Sequence, residues 1–236
     1  MESVKLSPRL ETIADMVPSE ARLADVGTDH ALVPIRLILD GRIPSAIASD
    51  IRPGPLQRAR SNTSEYGAEN IRFVLCDGLS GIAPDEADAI VIAGMGGETI
   101  ASILDAAPWA RDGKNLILQP MSRPEVLRRE LARQGIRIVE ERLLEERGKI
   151  YTVIGARGGE PLILSEAEYY TGPFALLSRH PLFPRLTQRL IDKFRAALEG
   201  LSRSGEREDS RRREHLRTVY GELLRMSGQL SEMSGF

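Results

Sequence analysis

Three acids close short apolar runs in this chain, and a fourth follows a lone glycine. Asp25 follows Leu23-Ala24, Asp50 follows Ala46-Ile47-Ala48-Ser49, and Asp77 follows Phe73-Val74-Leu75-Cys76, while Asp29 stands two residues after Gly27. A carboxylate at the carboxyl end of a strand can accept from both hydroxyls of a diol or face a cation. Gly27 permits a tight turn and lets a ligand approach the main chain. A G-x-G-x-x-G run would clasp a pyrophosphate at a helix N-terminus, but Gly27 stands alone and Asp29 would repel such a group. A ligand that is cationic and rich in hydroxyls fits better. S-adenosylmethionine, with a sulfonium, an ammonium and a ribose diol, has that chemistry. The plainer alternative for Arg22 to His30 is a strand, turn and helix that bind nothing.

Other residues could serve the same site. Gly94-Met95-Gly96-Gly97 puts three glycines in four positions, so something approaches the backbone there closely. Gln119, at the end of Asn115-Leu116-Ile117-Leu118-Gln119, could read a base edge by hydrogen bonding or satisfy backbone groups at a strand end. His30 could touch a substrate or cap the next helix, and Asp50 could bind a ribose or be a surface acid.

The elements that must position these residues alternate. Ser7-Pro8 predicts a helix start, with Leu10, Ile13, Ala14 and Val17 on one face and Pro18 as the stop. Strands are predicted at 22–26, 45–51, 71–78, 87–93 and 115–119, the last stopped by Pro120. Helices are predicted at 31–40, 55–66, 99–107 and 125–134, with Gly67 and Gly135 as terminators. Residues 136–146 and 150–156 then read as a hairpin around Gly148. This order predicts an α/β fold with a mostly parallel sheet and one antiparallel edge strand. Beyond Pro161 the pattern changes. Leu186, Leu190, Phe194, Ala197 and Leu201 form one apolar stripe, and Leu216, Val219, Leu223 and Leu230 form another. A break at 202–205 between them predicts a helical hairpin. Its second arm carries Arg211-Arg212-Arg213 among Glu206, Glu208, Asp209 and Glu214, either as a solvated face or as a phosphate contact. The expected domains are 1–160 and a coiled-coil-like 161–236.

Composition narrows the class. The 236 residues suffice for a full core, and a formal charge of −2 is not that of a strongly basic nucleic-acid binder. Cys76 is the sole cysteine, so no intramolecular disulfide forms and a cytoplasmic protein is expected. No membrane span, leader or metal site is expected, and the protein should be a monomer or weak dimer.

Four blocks in order, Asp25-Val26-Gly27-Thr28-Asp29-His30, Ser49-Asp50-Ile51, Cys76-Asp77-Gly78-Leu79 and Ile92-Ala93-Gly94-Met95-Gly96-Gly97, resemble the bacterial tRNA (adenine-22-N1)-methyltransferase family. Leu6-Ser7-Pro8-Arg9-Leu10, Leu118-Gln119-Pro120 and Gly148-Lys149-Ile150-Tyr151 fit it too. The motifs span roughly 5–157; the Asp-His and Gly-Met-Gly-Gly blocks are specific in combination. The resemblance implies a class I methyltransferase, Rossmann-like, with a seven-stranded sheet, a C-terminal α-helical hairpin domain, and S-adenosyl-L-methionine as cofactor. It implies methylation of N1 of adenine 22 in the D-arm region of tRNA, with tRNA as partner. Cofactor contacts are then implied for Asp25, Val26, Gly27, Thr28, Asp29, His30, Asp50, Ile51, Cys76, Asp77, Gly78 and Gly94. Catalytic roles are implied for Asp29, Gly94, Met95, Gly96, Gly97 and Gln119. Thr28 replaces a frequent Ser and keeps the hydroxyl, whereas Leu32 and Met121 depart from an aromatic and a polar residue, both near the target base.

N1 of neutral adenine has a free lone pair, so transfer needs in-line alignment and exclusion of water rather than a base. The product ring is cationic, so a carboxylate such as Asp29 could stabilise it; the alternative for Asp29 is a helix cap. The base must be unpaired or flipped out to present its edge. Two other functional readings stay open, a small-molecule methyltransferase and a non-catalytic RNA-binding protein on the same fold.

Overall fold

The computed structural model describes residues 4–204 and 210–233. Contacts divide the chain into two units, 1–162 and 163–236. The first holds β1 (Leu23–Val26), β2 (Ala46–Asp50), β3 (Ile71–Leu75), β4 (Ala89–Gly96), β5 (Asn115–Ser122), β6 (Ile136–Glu146) and β7 (Lys149–Gly158). They form one seven-stranded sheet in the order β3-β2-β1-β4-β5-β7-β6. The strands β1 to β5 pair in parallel, and β7 is antiparallel to both β5 and β6. The sheet is therefore mostly parallel with one antiparallel strand, as expected. That strand lies one position in from the edge, because the 136–158 hairpin folds back between β5 and β6.

The chain starts in the middle at β1, runs outward through β2 and β3, then returns to place β4 on the other side of β1. Loops leaving β1 and β4 diverge, which opens a crevice over the carboxyl ends of the strands. Helices cover both faces: α1 (Pro8–Met16), α2 (Leu32–Leu39), α3 (Pro53–Tyr66), α4 (Gly97–Ala106) and α5 (Pro124–Arg133). Strand alternation sorts the core. Ile90, Ile92, Leu116 and Leu118 pack with Ile100, Leu104, Leu127 and Leu131 of α4 and α5. Ala89, Val91 and Ile117 point the other way, into Ile13, Val17, Val33 and Leu37 of α1 and α2. Ser7 caps α1 and Gly67, at φ 67°, ends α3, both as the sequence predicts.

Two strands run past an expected stop. β4 does not stop at Ala93 but continues, bulged at Gly94, to Gly96; β5 passes through Pro120 to Ser122. Pro120 is tolerated because it faces Met95 at the irregularity, where the ladder asks no donor of its nitrogen. In the second unit the structure adds α6 (Glu166–Thr171) and α7 (Phe174–Leu177), which the sequence pattern did not reveal. The helices α8 (Phe183–Ser204) and α9 (Ser210–Met233) pack together as the expected hairpin. Helix α8 runs into the break predicted from residue 202, as far as Ser204; Gly205, Glu206, Glu208 and Asp209 lie outside the described residues. Arg211 and Arg212 are exposed, whereas Arg213 donates to the carbonyl of Leu201 at 2.9 Å.

One charged contact is wholly interior. Arg128 of α5 pairs with Glu141 of β6, with side-chain exposures of 1% and 0%, and the Thr152 hydroxyl donates to the same carboxylate. Removing one partner of such a pair leaves an uncompensated buried charge. Arg128→Met should therefore lower stability by about 3–5 kcal/mol, and Arg128→Met with Glu141→Leu should recover most of it. Urea unfolding of the two variants checks this; equal losses in both would contradict it.

Candidate functional site

The turn after β1 is held sideways to β2. The amides of Gly27 and Thr28 both donate to the Ser49 carbonyl, at 2.8 and 2.9 Å. Gly27 has φ 75°, a conformation strained for other residues, and the Met95 Cε lies 2.0 Å from where a Cβ would stand. The Thr28 hydroxyl accepts from the amide of Ala31, the residue before α2, at 3.1 Å. Neither Asp29 nor His30 caps that helix, which removes the capping alternative for both. Ala31 itself adopts a left-handed conformation, φ 52°, which turns the two side chains outward.

Asp29, 58% exposed in its side chain, instead meets Arg58 of α3, whose Nε lies 3.1 Å from Oδ1. Its Oδ2 is 3.3 Å from His30 Nε2. Asn62 donates to the His30 carbonyl at 3.0 Å and lies 3.3 Å from its Nδ1. The Arg58 hydrogen bonds, with charge from His30, hold the Asp29 carboxyl below its ordinary range. Asp25 is the opposite case. It is buried with no cation paired to it among the described residues, and desolvation pushes it up to about 6 against the pull of the Thr28 hydroxyl.

Two cavities adjoin over the strand ends. The larger, about 860 Å³, is lined by Val26, Gly27, Asp50, Ile51, Cys76, Asp77, Gly78 and Met95. The smaller, about 430 Å³, is lined by Asp25, Thr28, Asp29, His30, Gly94 and Met95. Both are bounded by Gly27, Asp50, Arg52 and Met95. Asp50 Oδ1 accepts from the Arg52 amide at 2.7 Å, which leaves its second oxygen for a ligand. The Ser49 hydroxyl, fully buried at the larger cavity, has no hydrogen-bond partner among the described residues. A buried hydroxyl in that condition is a position for a ligand or water to satisfy. An apolar wall of Leu79, Ile103 and Trp109 closes the far end.

Three predicted site residues stand behind the cavities. Gly96 and Gly97 line neither. A Cβ on Gly97 would lie 2.3 Å from the Arg123 carbonyl oxygen, so the close approach there is the chain's own backbone. Gln119 is fully buried. Its Oε1 accepts from Arg9 Nη1 at 3.0 Å and from the Gly94 amide at 3.3 Å, and its Nε2 donates to the Pro120 carbonyl at 2.9 Å. Fully buried and lining neither cavity, Gln119 is bonded to backbone groups of its own strand end and of the Gly94 turn rather than set to read a base edge. The structure also brings in residues to which the sequence assigned no site role: Arg9, Ser49, Arg52, Glu98, Thr99, Ile103 and Trp109. Ser49 and Arg52 flank the Asp50 acid and could have been found by proximity; Arg9 and Trp109 arrive only by folding. Among the described residues, no group of three or more His, Cys, Asp or Glu could hold a metal ion, and no helix is long and apolar enough to cross a membrane.

The chain matches the methyltransferase-domain family model over residues 6–154. It is 34% identical over 220 residues to a Bacillus subtilis (strain 168) protein named tRNA (adenine(22)-N(1))-methyltransferase, covering 90% of this chain and 92% of that one. The crystal structure of the B. subtilis m1A22 tRNA methyltransferase superposes with a TM-score of 0.78 at 32% identity, over 97% of this chain and 98% of that one. A Streptococcus pneumoniae protein, provisionally named a tRNA (m1A22) methyltransferase and solved in complex with S-adenosyl-L-methionine, gives 0.81 at 36% identity, over 94% of this chain and 100% of that one.

The Asp25 environment yields a test on the ligand-free protein. Its carboxyl binds a proton more readily folded, near 6, than at its ordinary 3.8. Above about 6 the group is charged in both states and the fold bears the full desolvation cost; as pH falls through that value toward 3.8 the cost is relieved. Asp25→Asn should therefore raise stability at pH 7.5 by up to about 3 kcal/mol, the equivalent of about two pKa units. The advantage should shrink when both proteins are unfolded by urea at pH 4.5. A variant no more stable than the parent at pH 7.5 would contradict the assignment.

Proposed function

This chain belongs to the tRNA (adenine(22)-N(1))-methyltransferase family, and from that premise we propose that it transfers the methyl group of S-adenosylmethionine to N1 of adenine 22 in the D-arm region of tRNA. The observation that carries this reading is the pair of adjoining cavities, one walled by Asp50 and Asp77 and the other by Asp25 and Asp29. The donor set fits the cofactor. Asp50 has one oxygen available for a ribose diol, the Ser49 hydroxyl lacks a partner, and Asp25 is a buried acid suited to an ammonium. When bound, the cofactor supplies a methyl group on a positively charged sulfur.

The chain's own residues orient and shield. Ile103 and Trp109 give the larger cavity apolar lining, against which a bound ligand displaces water. N1 of adenine attacks with its own lone pair, so no side chain need remove a proton. Positive charge then grows on the ring, and Asp29, kept ionised by Arg58 and His30, stands on the wall of the smaller cavity to offset it. In this reading residues 163–236 provide a further surface for tRNA, with Arg211 and Arg212 exposed on α9. The enzyme would act in the cytoplasm as a monomer or weak dimer.

Mass spectrometry of a tRNA transcript incubated with enzyme and labelled cofactor should find 1-methyladenine at position 22, and none in a transcript carrying guanine there. Label on small metabolites but not on tRNA would replace this reading with the small-molecule one. Asp50→Ala should weaken cofactor binding about tenfold or more in calorimetry, from loss of about 1.5–3 kcal/mol of charged hydrogen bonding. Asp29→Asn, at saturating cofactor and tRNA, should slow single-turnover methylation by about 10²-fold. A rate within about twofold of the parent would remove Asp29 from catalysis.

A further inference from the structure

We propose that Arg9, on the N-terminal helix α1, is a positioning residue for methyl transfer, acting through Gln119 to set the Gly94–Met95 turn. The proposal rests on the reading of the site given above. Arg9 spans three elements. Its Nη1 donates to Gln119 Oε1 on β5 at 3.0 Å, and its Nε donates to Glu146 Oε2 on β6 at 3.3 Å. The Gln119 oxygen that receives Arg9 also receives the Gly94 amide, at 3.3 Å.

That second bond is needed because of the bulge. The register of β4 on β5 passes from Ala93–Gln119 to Met95–Pro120 and skips Gly94. The Gly94 amide is therefore outside the ladder, in a left-handed conformation with φ 80°, and its partner is the Gln119 side chain. The next residue, Met95, sends its Cε to within 2.0 Å of where a Gly27 Cβ would lie, on the boundary between the two cavities. One buried amide thus transmits the position of α1 to the backbone that borders both cavities. Gln119 could not hold this orientation equally well without Arg9, since its oxygen would lose its charged donor inside a fully buried pocket.

The burial pattern separates this role from one in folding. Helix α1 is anchored by Ile13, Ala14 and Val17, all buried, whereas the Arg9 side chain is 22% exposed and lines the smaller cavity. Its loss should leave the core packed and misplace the turn.

Arg9→Ala should lower turnover on tRNA about 10- to 100-fold at saturating cofactor and tRNA, the scale of a misplacement near the reacting atoms. Cofactor affinity should fall less than turnover, and the loss of stability should be no greater than in Glu146→Gln, which breaks the ion pair but leaves Arg9 on Gln119. Added guanidinium ion at millimolar concentration should restore part of the rate. Gln119→Ala should give a similar loss, and the double variant should be no worse than the poorer single one. In the cofactor-free protein, hydrogen exchange at the Gly94 amide should quicken about tenfold in Arg9→Ala. Turnover within about twofold of the parent, or losses that add in the double variant, would overturn the proposal. So would a loss of rate that guanidinium does not relieve and that follows the melting temperature. If the parent itself leaves tRNA unmethylated, the functional reading fails, and Gly94 exchange still decides whether Arg9 holds the turn.

Discussion

The carbonyl of Ser49 accepts two amides at once, those of Gly27 and Thr28. It lies at the end of β2, just before Asp50, and it fastens the β1 turn to its neighbour. The Asp50 carbonyl in turn accepts the Cys76 amide from the chain leaving β3, at 3.1 Å. These bonds extend the parallel ladder past its last paired residues. All three strands run the same way, so their carboxyl ends emerge at one edge, and the bonds hold Asp25, Asp50 and Asp77 along it. A site made by such sideways ties needs no long loops of its own. Its geometry is that of the sheet.

The acids held there are not equivalent, and burial decides the difference. Asp29 is exposed and flanked by Arg58 and His30, so it remains ionised at low cost. Asp25 is buried with only the Thr28 hydroxyl to help, so ionisation is costly and its carboxyl titrates near 6. A cation arriving beside Asp25 gains more than one arriving beside Asp29, since it relieves a desolvated charge rather than competing with an arginine. The smaller cavity therefore has an inner acid suited to a permanent cation and an outer acid that can answer charge formed during a reaction.

The acids and their strands were legible because the signal is local. Each is an apolar run closed by an acid, with glycine close behind at 27 and 78. The helix boundaries at Ser7-Pro8 and Gly67 were legible for the same reason. The end of β4 was not. A glycine run and a proline read as stops, yet here Pro120 faces Met95 across a bulge, a pairing that exists only once β4 and β5 meet. Nor could spacing tell that neither Asp29 nor His30 caps α2, because the residue before that helix is Ala31 at positive φ, an unusual conformation for alanine. Of the two roles open to Gln119, the satisfaction of backbone groups is the one observed, at Gly94 and Pro120; its tie to Arg9 was not legible, since that partner stands 110 positions away. The short helices α6 and α7 offer too few turns for periodicity to register.

The boundary between the two cavities shows how the sheet can be rigid and its site adaptable. Met95 closes that boundary by laying its terminal methyl over Gly27, at a distance that no Cβ would allow. The backbone on both sides is constrained, Gly27 by the Ser49 carbonyl and Gly94 by the Gln119 amide. Between them lies an unbranched thioether, which changes rotamer at little cost. A ligand reaching from Asp77 in the larger cavity to Asp25 in the smaller crosses the boundary that this side chain occupies. The fold thus puts a flexible side chain at the boundary of the two cavities, between backbone that the Ser49 carbonyl and the Gln119 side chain hold on either side.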